Sequence, residues 1–201
     1  MGKYLVDKEG IEIVGAIAHR ESKAGKDVSE FFGMDEDYGV KVTNDPMSVI
    51  TEDVDVVLQA TSSFVKDVYP QIEKIVKKKV NVISIAEEMA YPQVQEKELS
   101  EKIDKLAKEY GVSVLGTGIN PGFVLDLMII ALSGACAKVD KIEAARINDL
   151  SPFGPTVMKT QGVGTTVEEF EKGVKEGSIV GHIGFLESIH MIADRLGIKL
   201  D

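Results

Sequence analysis

The sequence predicts an α/β fold with a doubly wound parallel sheet, followed by part of an α+β domain. One observation is that short β-rich runs alternate with helical patterns, as they do in right-handed strand–helix–strand crossovers. Another is that these runs are nearly continuous in apolar residues, which is typical of strands buried on both faces of a parallel sheet. The predicted strands span residues 11–18, 54–60, 80–86 and 112–115.

Two helical patterns fill the intervals between the later strands. The first covers residues 65–79. The second covers 91–110, with Pro92 at a position typical of a helix start and Gly111 just past its end. Strands joined by helices in this order indicate a doubly wound sheet.

The beginning of the chain is unusual for such a sheet, which normally starts with a strand and a glycine-rich turn. The segment MGKYLVDKEG is already helical in character. We interpret Gly2 as the last glycine of a G-x-G-x-x-G turn and residues 3–10 as the helix that follows. On this interpretation the fold is Rossmann-type without its first, central strand, and the sequence is a fragment. The alternative is a variant fold that begins with a helix.

The pattern changes near residues 135–140, where we expect a domain boundary. A strand and a loop follow, and then two amphipathic helices, the first of which begins with a capping-box pattern. The predicted segments are a strand at 141–149, a loop at 150–155, and helices at 165–177 and 185–197.

Charge and composition exclude several classes of function. The 201 residues carry a net charge of −10 without a basic block, so nucleic acid and anionic membranes are poor candidate partners. No signal peptide is recognisable, and no apolar run reaches the roughly 18–20 residues of a membrane span. Cys136 is the single cysteine, so we expect a small core residue in a protein of the reducing cytoplasm. Metal-ligating residues do not cluster, and we predict no metal site.

Open α/β sheets bind ligands beyond the carboxyl ends of their strands, so the candidate site lies there. The first predicted strand ends at His19 and Arg20, where a dinucleotide fold meets the adenosine ribose. Arg20 favours the 2′-phosphate of NADP, whereas the neighbouring Glu21 leaves NAD open. A solvated cluster of loop charges is the alternative.

Small residues end the second predicted strand. Ala60 and Thr61 allow the close approach of a nicotinamide riboside, and hydroxyl groups in this segment can bond to it. Ser62 or Ser63 could also cap the helix expected to begin at Val65. The two interpretations are compatible.

The third predicted strand ends in two adjacent acids, Glu87 and Glu88. Adjacent carboxylates in a crevice can bind an ammonium group, or one of them can have a raised pKa. A pair of exposed loop acids is the alternative.

The fourth strand runs into the segment GTGINPGFVLD at 116–126. Gly116 and Gly118 leave out side chains where the backbone passes close to something, and Asn120 precedes a Pro-Gly pair that is typical of a helix start. The free N–H groups of that helix would face the crevice. A plain strand-to-helix turn and a loop that approaches a ligand are equally compatible with this pattern.

The segment VMKTQGVGTT at 157–166 is the most informative part of the second half. Lys159 precedes Gly164, Thr165 and Thr166, and a helix follows. Backbone N–H groups and hydroxyls at a helix N-terminus suit a carboxylate, and Lys159 could supply a proton or a charge near it. His182 could line the same crevice. A glycine hinge before a capped helix and a structural histidine are the alternatives.

Four segments together resemble one family. VISIAEEMAYP, GTGINPGFVLD, IEAARIND and GHIGFLESIHMIADRLG, in this order, are similar to segments of the 2,4-diaminopentanoate dehydrogenases, relatives of dihydrodipicolinate reductase. The resemblance covers residues 4–201. It implies a Rossmann-type NAD(P)-binding domain at 1–137 and an α+β substrate domain at 138–201. Members of the family are longer, so we expect the first domain to be incomplete at its N-terminus and the second at its C-terminus.

The resemblance implies an NAD- or NADP-dependent amino acid dehydrogenase. Its reaction would be the oxidative deamination of 2,4-diaminopentanoate to 2-amino-4-oxopentanoate in ornithine degradation. On this hypothesis Lys159 and His182 are catalytic. The cofactor-binding residues are Gly2, His19, Arg20, Ala60, Thr61, Gly118 and Asn120. The substrate-binding residues are Glu87, Glu88, Gly164, Thr165 and Thr166.

Two other functions stay open. A dihydrodipicolinate reductase proper should carry a histidine pair in the segment PFGPTVMKTQGVGTT, which has none. A non-catalytic or inactive NAD(P)-binding protein is favoured by the missing glycine turn. The expected partner is a small amino acid, and the exposed sheet edges of a truncated domain favour a homodimer.

Overall fold

The computed structural model describes residues 2–200. The strands are β1 (Ala16–Ile17), β2 (Val42–Thr43), β3 (Val56–Gln59), β4 (Asn81–Ser84) and β5 (Val114–Gly116). The helices are α1 (Lys3–Val6), α2 (Ser29–Phe32), α3 (Val65–Val76), α4 (Lys97–Tyr110), α5 (Leu127–Ser133), α6 (Pro155–Thr160), α7 (Val167–Glu176) and α8 (Phe185–Leu196). Short 3₁₀ turns lie at Glu21–Lys23, Pro46–Ser48 and Glu87–Ala90.

The strands form two parallel sheets. β1 pairs with β2, and the second sheet has the order β3–β4–β5. The pairs in the second sheet are parallel because α3 crosses from β3 to β4 and α4 from β4 to β5. Its register aligns Gln59, Ser84 and Gly116 in one row across the sheet. The predicted α/β fold with parallel strands is confirmed.

The core lies between the second sheet and helices α3 and α4. α3 places its apolar residues on one face, and Val65, Val68 and Ile72 on that face are fully buried. Val82 of β4 and Ile103 of α4 belong to the same cluster. Burying an aliphatic side chain of this size contributes about 1.5–3 kcal/mol, so this cluster is a large part of the stability of the first half of the chain.

The opposite face of the second sheet is open, and the prediction of strands buried on both faces is wrong. Val56 and Leu58 of β3 and Leu115 of β5 are 41%, 37% and 53% exposed. Successive side chains of a strand point to opposite faces, and among the described residues α3 and α4 pack on the other face. The continuous apolar runs therefore indicated parallel strands but not how many of their faces are covered.

Several predicted boundaries in the first half are also wrong. The strand expected at 11–18 is limited to β1, because these are the residues that have a partner strand. That partner, β2, was missed by the sequence analysis, since a strand of two residues has no measurable periodicity. The helix expected at 3–10 ends at Val6.

The second helix expected between strands starts later than predicted. α4 begins at Lys97, and the segment after Pro92 is a turn in which the Glu96 N–H donates to the Pro92 carbonyl. The C-terminal end at Tyr110 is as predicted, with Gly111 in the left-handed conformation that closes a helix. Cys136 is exposed, so its assignment to the core is wrong.

No strand forms at 141–149, where one was expected. Strand backbone groups need a neighbouring strand to bond to, and none of the described strands lies beside this segment. Ile147 is 97% exposed. Between residues 138 and 200 the regular elements are therefore helical, without the α+β mixture expected there. α8 packs against α5 and the turn Glu87–Ala90. Across residues 2–200, no helix combines the length and the apolar character needed to cross a membrane.

The buried face of α3 yields a test of the core. Val68→Ala should lower the free energy of unfolding by about 2–3 kcal/mol, because it removes two buried methyl groups and leaves a cavity. The matched control is Val174→Ala on α7, where the valine is 51% exposed and the loss should stay below about 1 kcal/mol. Urea denaturation measures both. Equal losses would contradict the placement of the core.

Candidate active site at the carboxyl ends of the parallel strands

Three loops leave the same edge of the second sheet. Because Gln59, Ser84 and Gly116 are aligned in register, the segments 60–64 and 85–90 and the loop at 117–126 begin side by side. The Ile85 N–H donates to the Gln59 carbonyl at 3.1 Å and the Thr117 N–H to the Ser84 carbonyl at 2.9 Å. The carboxyl edge expected to bear the site is therefore a real edge of three adjacent strands.

Buried polar side chains hold the first of these loops. Ser84 is fully buried, and its hydroxyl donates to Oε1 of Gln59, a residue that is itself buried. Thr61 is exposed at the end of β3, next to Ala60, and its hydroxyl donates to Gln71 Oε1 of α3 at 2.8 Å. Gln59 Nε2 donates to the same hydroxyl at 2.5 Å, so Thr61 is oriented by α3 and by β3.

The prediction that Ser62 or Ser63 caps α3 is wrong. The residue that precedes the helix is Phe64, which makes no side-chain cap bond. Ser62 Oγ donates to the Asp67 carboxylate at 2.6 Å instead. The N–H of Val65 donates to Glu88 Oε2 at 2.8 Å, so a glutamate from the next loop satisfies this helix end.

The two adjacent acids have different environments. Glu88 is buried, so the alternative of two exposed loop acids is wrong for this residue. Burial raises the pKa of the Glu88 carboxyl, the Val65 N–H opposes the rise, and the charge of Glu187 adds to it. Glu87 is half-buried and lies against the start of α8. A Cβ at Gly184 would lie 3.3 Å from the Glu87 Cβ.

Backbone atoms of the protein itself occupy the space where side chains at the glycines of 116–122 would lie. A Cβ at Gly116 would collide with the Met89 carbonyl, and one at Gly118 would lie 2.6 Å from the Pro121 carbonyl. The loop therefore passes close to its own backbone and to the turn Glu87–Ala90. Asn120 is half-buried, and the Asn120–Pro121 peptide is cis.

The helix expected to start at Pro121 starts six residues later, with Asp126 at its N-cap. Asp126 is fully buried, and the sequence analysis missed it as a functional group. Its Oδ2 accepts from the Gly122 N–H at 2.7 Å and from Ser188 Oγ at 2.8 Å, and its Oδ1 accepts from the Leu127 N–H at 2.5 Å. The available signal was a charged residue inside an apolar run.

His182 lies just before α8 and close to two charged groups. Partial burial lowers the pKa of the imidazole, and the charge of Arg146 lowers it further, while the charge of Glu87 opposes the change. These effects favour the neutral form of His182, which is the form that a general base requires. Arg146 was missed by the sequence analysis. The available signal is that it is one of three arginines in the chain.

Lys159 and Thr165 line a hollow of about 440 Å³. Its walls are otherwise mostly apolar, formed by Phe153, Pro155, Met158 and Val163. Gln161 Nε2 donates to the Gly181 carbonyl at 2.5 Å and thereby joins this region to the segment of His182. Lys159, Thr165 and the segment that contains His182 thus belong to one connected region.

The hydroxyls expected to bind a carboxylate already have local partners. Thr165 Oγ1 donates to the Gly162 carbonyl at 2.7 Å. Thr166 forms a capping box with Glu169, in which each side chain bonds to the backbone N–H of the other. Gly164 is exposed beside them. The capping box predicted for α7 is confirmed.

The residues predicted to bind the adenosine end of the cofactor do not belong to the second sheet. His19 and Arg20 are exposed beyond β1, in the first sheet. Gly2 packs against the ring of Phe32, where a Cβ would clash. Among residues 2–200, no three histidine, cysteine or acidic side chains are grouped to hold a metal ion.

The sequence and the fold of this chain are similar to those of known proteins. Residues 123–201 match the family model of the 2,4-diaminopentanoate dehydrogenase C-terminal domain. The whole chain is 53% identical to a curated 2,4-diaminopentanoate dehydrogenase from Acetoanaerobium sticklandii, of which it covers 57%. The resemblance to this dehydrogenase family is confirmed. The chain spans little more than half the length of the curated relatives it matches.

Two amine dehydrogenases are similar as well. An amine dehydrogenase from Streptomyces virginiae is 26% identical over 95% of this chain and 54% of its own length. A solved structure of amine dehydrogenase from Mycobacterium smegmatis has a TM-score of 0.76 at 29% identity, covering 96% of this chain and 57% of that one. The fold described above is therefore similar to part of that amine dehydrogenase.

The raised pKa of Glu88 predicts a pH dependence of stability. The folded state holds the Glu88 proton to higher pH than the unfolded state, whose pKa is about 4.5. The contribution of the neutral Glu88 carboxyl to the free energy of unfolding is therefore fully present below pH 4.5. It is lost as the pH rises through the pKa of Glu88 in the folded state. Glu88→Gln stays neutral and keeps an acceptor for Val65.

Relative to the unchanged protein, the Glu88→Gln variant should therefore become more stable as pH rises from about 4.5 to 8. The relative gain is about 1.4 kcal/mol for each unit by which the pKa is raised. Urea denaturation of both proteins at a series of pH values measures this difference. A difference that does not change with pH would contradict the assignment.

Proposed function

We propose that this chain is part of an NAD(P)-dependent dehydrogenase that oxidatively deaminates 2,4-diaminopentanoate to 2-amino-4-oxopentanoate in ornithine degradation. The observation that carries the proposal is the 53% identity, along the whole chain, to a curated 2,4-diaminopentanoate dehydrogenase. The chain spans 57% of that relative, so the activity of the whole protein is inferred.

The sheets support a Rossmann-type assignment for the first half. Adjacent strands run β2–β1 in one sheet and β3–β4–β5 in the other, all parallel. In the doubly wound order 3-2-1-4-5-6, these two groups lie on either side of one central strand. We assign residues 1–137 to the NAD(P)-binding domain and 138–201 to the substrate domain.

The residues at the strand ends fit a nicotinamide cofactor. Thr61 is oriented by Gln71 and exposed beside Ala60, and Gly118 and Asn120 are half-buried beyond β5. These hydroxyl, amide and backbone groups would hold the nicotinamide riboside. Arg20 and His19 would meet the adenosine end, where Arg20 favours a 2′-phosphate. The bound NAD(P)⁺ supplies the hydride acceptor.

Charged groups of both signs suit a diamino acid. Lys159 would bind the carboxylate beside Thr165, and the apolar walls of their hollow would take the aliphatic chain. Glu87 would bind an ammonium group. Because Glu88 is buried and bonded to Val65, we assign it to holding the loops and not to direct contact with the substrate.

His182 is the better placed of the two candidate bases. Oxidation at carbon 4 needs a neutral amine, because the nitrogen lone pair forms the C=N bond as hydride leaves carbon. A neutral His182 can accept the ammonium proton, and the nearby Glu87 would stabilise the imidazolium that results. Water then adds to the imine carbon and ammonia leaves, which gives the ketone. Lys159 is the second candidate for a proton-transfer group.

An amine dehydrogenase acting on substrates without a carboxylate is the second candidate function. It is favoured by the 29% identity and the shared fold with the mycobacterial amine dehydrogenase. The hollow at Lys159 favours the diamino acid, because a basic group among apolar walls suits the carboxylate of an acidic substrate.

The assay that tests the proposal follows the reduction of the nicotinamide with two substrates. One is 2,4-diaminopentanoate, and the other is 2-aminopentane, a five-carbon amine without the carboxylate and without the second amino group. Both NAD⁺ and NADP⁺ are supplied, and released ammonia is measured. Turnover of the diamino acid alone supports the proposal. Preference for 2-aminopentane would favour the amine dehydrogenase, and cofactor binding without turnover of either would leave a non-catalytic NAD(P)-binding protein.

The role of Lys159 can be tested by substitution. Lys159→Met should lower kcat/KM for 2,4-diaminopentanoate by a factor of about 10²–10⁴ while the affinity for the cofactor changes little. Steady-state kinetics and cofactor fluorescence titration measure the two effects. Lys172→Met on α7 is the control, since that side chain is 73% exposed and should leave both values unchanged. An unchanged kcat/KM in Lys159→Met would dismiss the assignment.

A further inference from the structure

Glu187 is a buried acid that the proposed reaction does not use. The residue lies in the first turn of α8 and is fully buried. Its Oε1 accepts a hydrogen bond from Gln95 Nε2 at 2.7 Å. Its Oε2 is buried and has no partner among the described residues. A buried polar atom without a partner costs about 1–3 kcal/mol, so a group of this kind calls for a role other than stability.

Gln95 connects Glu187 to Glu88. The same amide nitrogen lies 3.4 Å from Glu88 Oε1. Glu88 Oε2 accepts from the Val65 N–H at 2.8 Å, and the Glu88 N–H donates to the Ser63 carbonyl at 3.1 Å. Glu88 therefore ties the loop after β3 to the turn after β4, and Gln95 extends this chain of hydrogen bonds to α8.

The start of α8 touches the same edge of the sheet. Gly184, at its N-cap, has φ of +96°, and a Cβ there would clash with the Pro121 ring and lie 3.3 Å from the Glu87 Cβ. Glu187 follows three residues later, on the same side of the helix. The first turn of α8 is thus in contact with the loops after β4 and β5, and through Glu88 it is connected to the loop after β3.

We propose that Glu187 is a positioning residue: through the Gln95 amide it fixes Glu88, and so sets where the turn Glu87–Ala90 presents Glu87 to the cleft beside His182. An apolar residue at this position would fill the space but would leave the Gln95 amide without its shorter acceptor. The inference rests on the proposed function for the identity of the cleft. The placement of the turn can be measured without it.

The test uses variants that cut the chain of hydrogen bonds at either end. Glu187→Met removes the acceptor, Glu187→Gln keeps one carbonyl oxygen for the Gln95 amide, and Gln95→Met cuts the link from the other side. Asp194→Asn is the control. It weakens the 2.6 Å bond from the Tyr91 hydroxyl, which also joins α8 to this region but does not involve the side chain of Glu88.

Amide hydrogen exchange at Val65 and Glu88 is the readout independent of activity. We expect exchange about tenfold faster in Glu187→Met and Gln95→Met, and rates near those of the unchanged protein in Glu187→Gln and Asp194→Asn. The double variant Glu187→Met/Gln95→Met should be no worse than either single variant, because both break one chain. In the active enzyme, kcat for the diamino acid should fall about tenfold with the cofactor KM unchanged.

Additive effects in the double variant, or unchanged exchange at both amides, would overturn the proposal. If Glu187→Met does not fold, Gln95→Met and Glu187→Gln decide the question alone. If the protein without substitutions has no dehydrogenase activity, the proposed function is refuted. The exchange rates would still decide whether Glu187 holds the turn.

Discussion

Parallel pairing of β3, β4 and β5 in one register is the constraint on which the rest of the structure depends. The register brings Gln59, Ser84 and Gly116 into one row, so that three loops far apart in the sequence leave the sheet together. The buried face of α3 fixes the sheet from one side. The buried hydrogen bond from Ser84 to Gln59 then secures the ends of two of the strands.

Three polar contacts join the C-terminal helix α8 to this edge and the segments beside it. Ser188 bonds to the buried Asp126, Glu187 to Gln95, and Asp194 to Tyr91. The first two of these contacts involve the buried carboxylates of Asp126 and Glu187. Buried polar contacts add less net stability than apolar packing, but they specify one arrangement because a broken bond leaves a buried group unsatisfied. This geometry fits a helix whose task is to hold loops in place.

The sequence predicted the parallel strands and several helix ends well, because their signals are local. The apolar run at 80–86 and the glycine after Tyr110 need no knowledge of distant residues. The strand expected at 141–149 failed because a strand exists only where a neighbour bonds to it, and local composition does not report a neighbour.

The polar residues of the site were harder to predict than the fold. Glu87 and Glu88 are adjacent, and only the structure shows that Glu88 is buried against the Val65 N–H. Asp126 is visible in the sequence only as a charge in an apolar run, and its partner Ser188 is 62 residues away. The assignments of Lys159 and Thr165 to substrate binding stay predictions, although both line one hollow.

The central claim is that the carboxyl ends of β3, β4 and β5 form the cleft that holds cofactor and substrate. Backbone chemical shifts measured during titration with NADH and NADPH test it most directly. We predict shift changes at Thr61, Asn120 and the turn Glu87–Ala90. Changes confined to the opposite edge, in the hollow lined by Met47, Ile50 and Lys77–Lys79, would contradict the account.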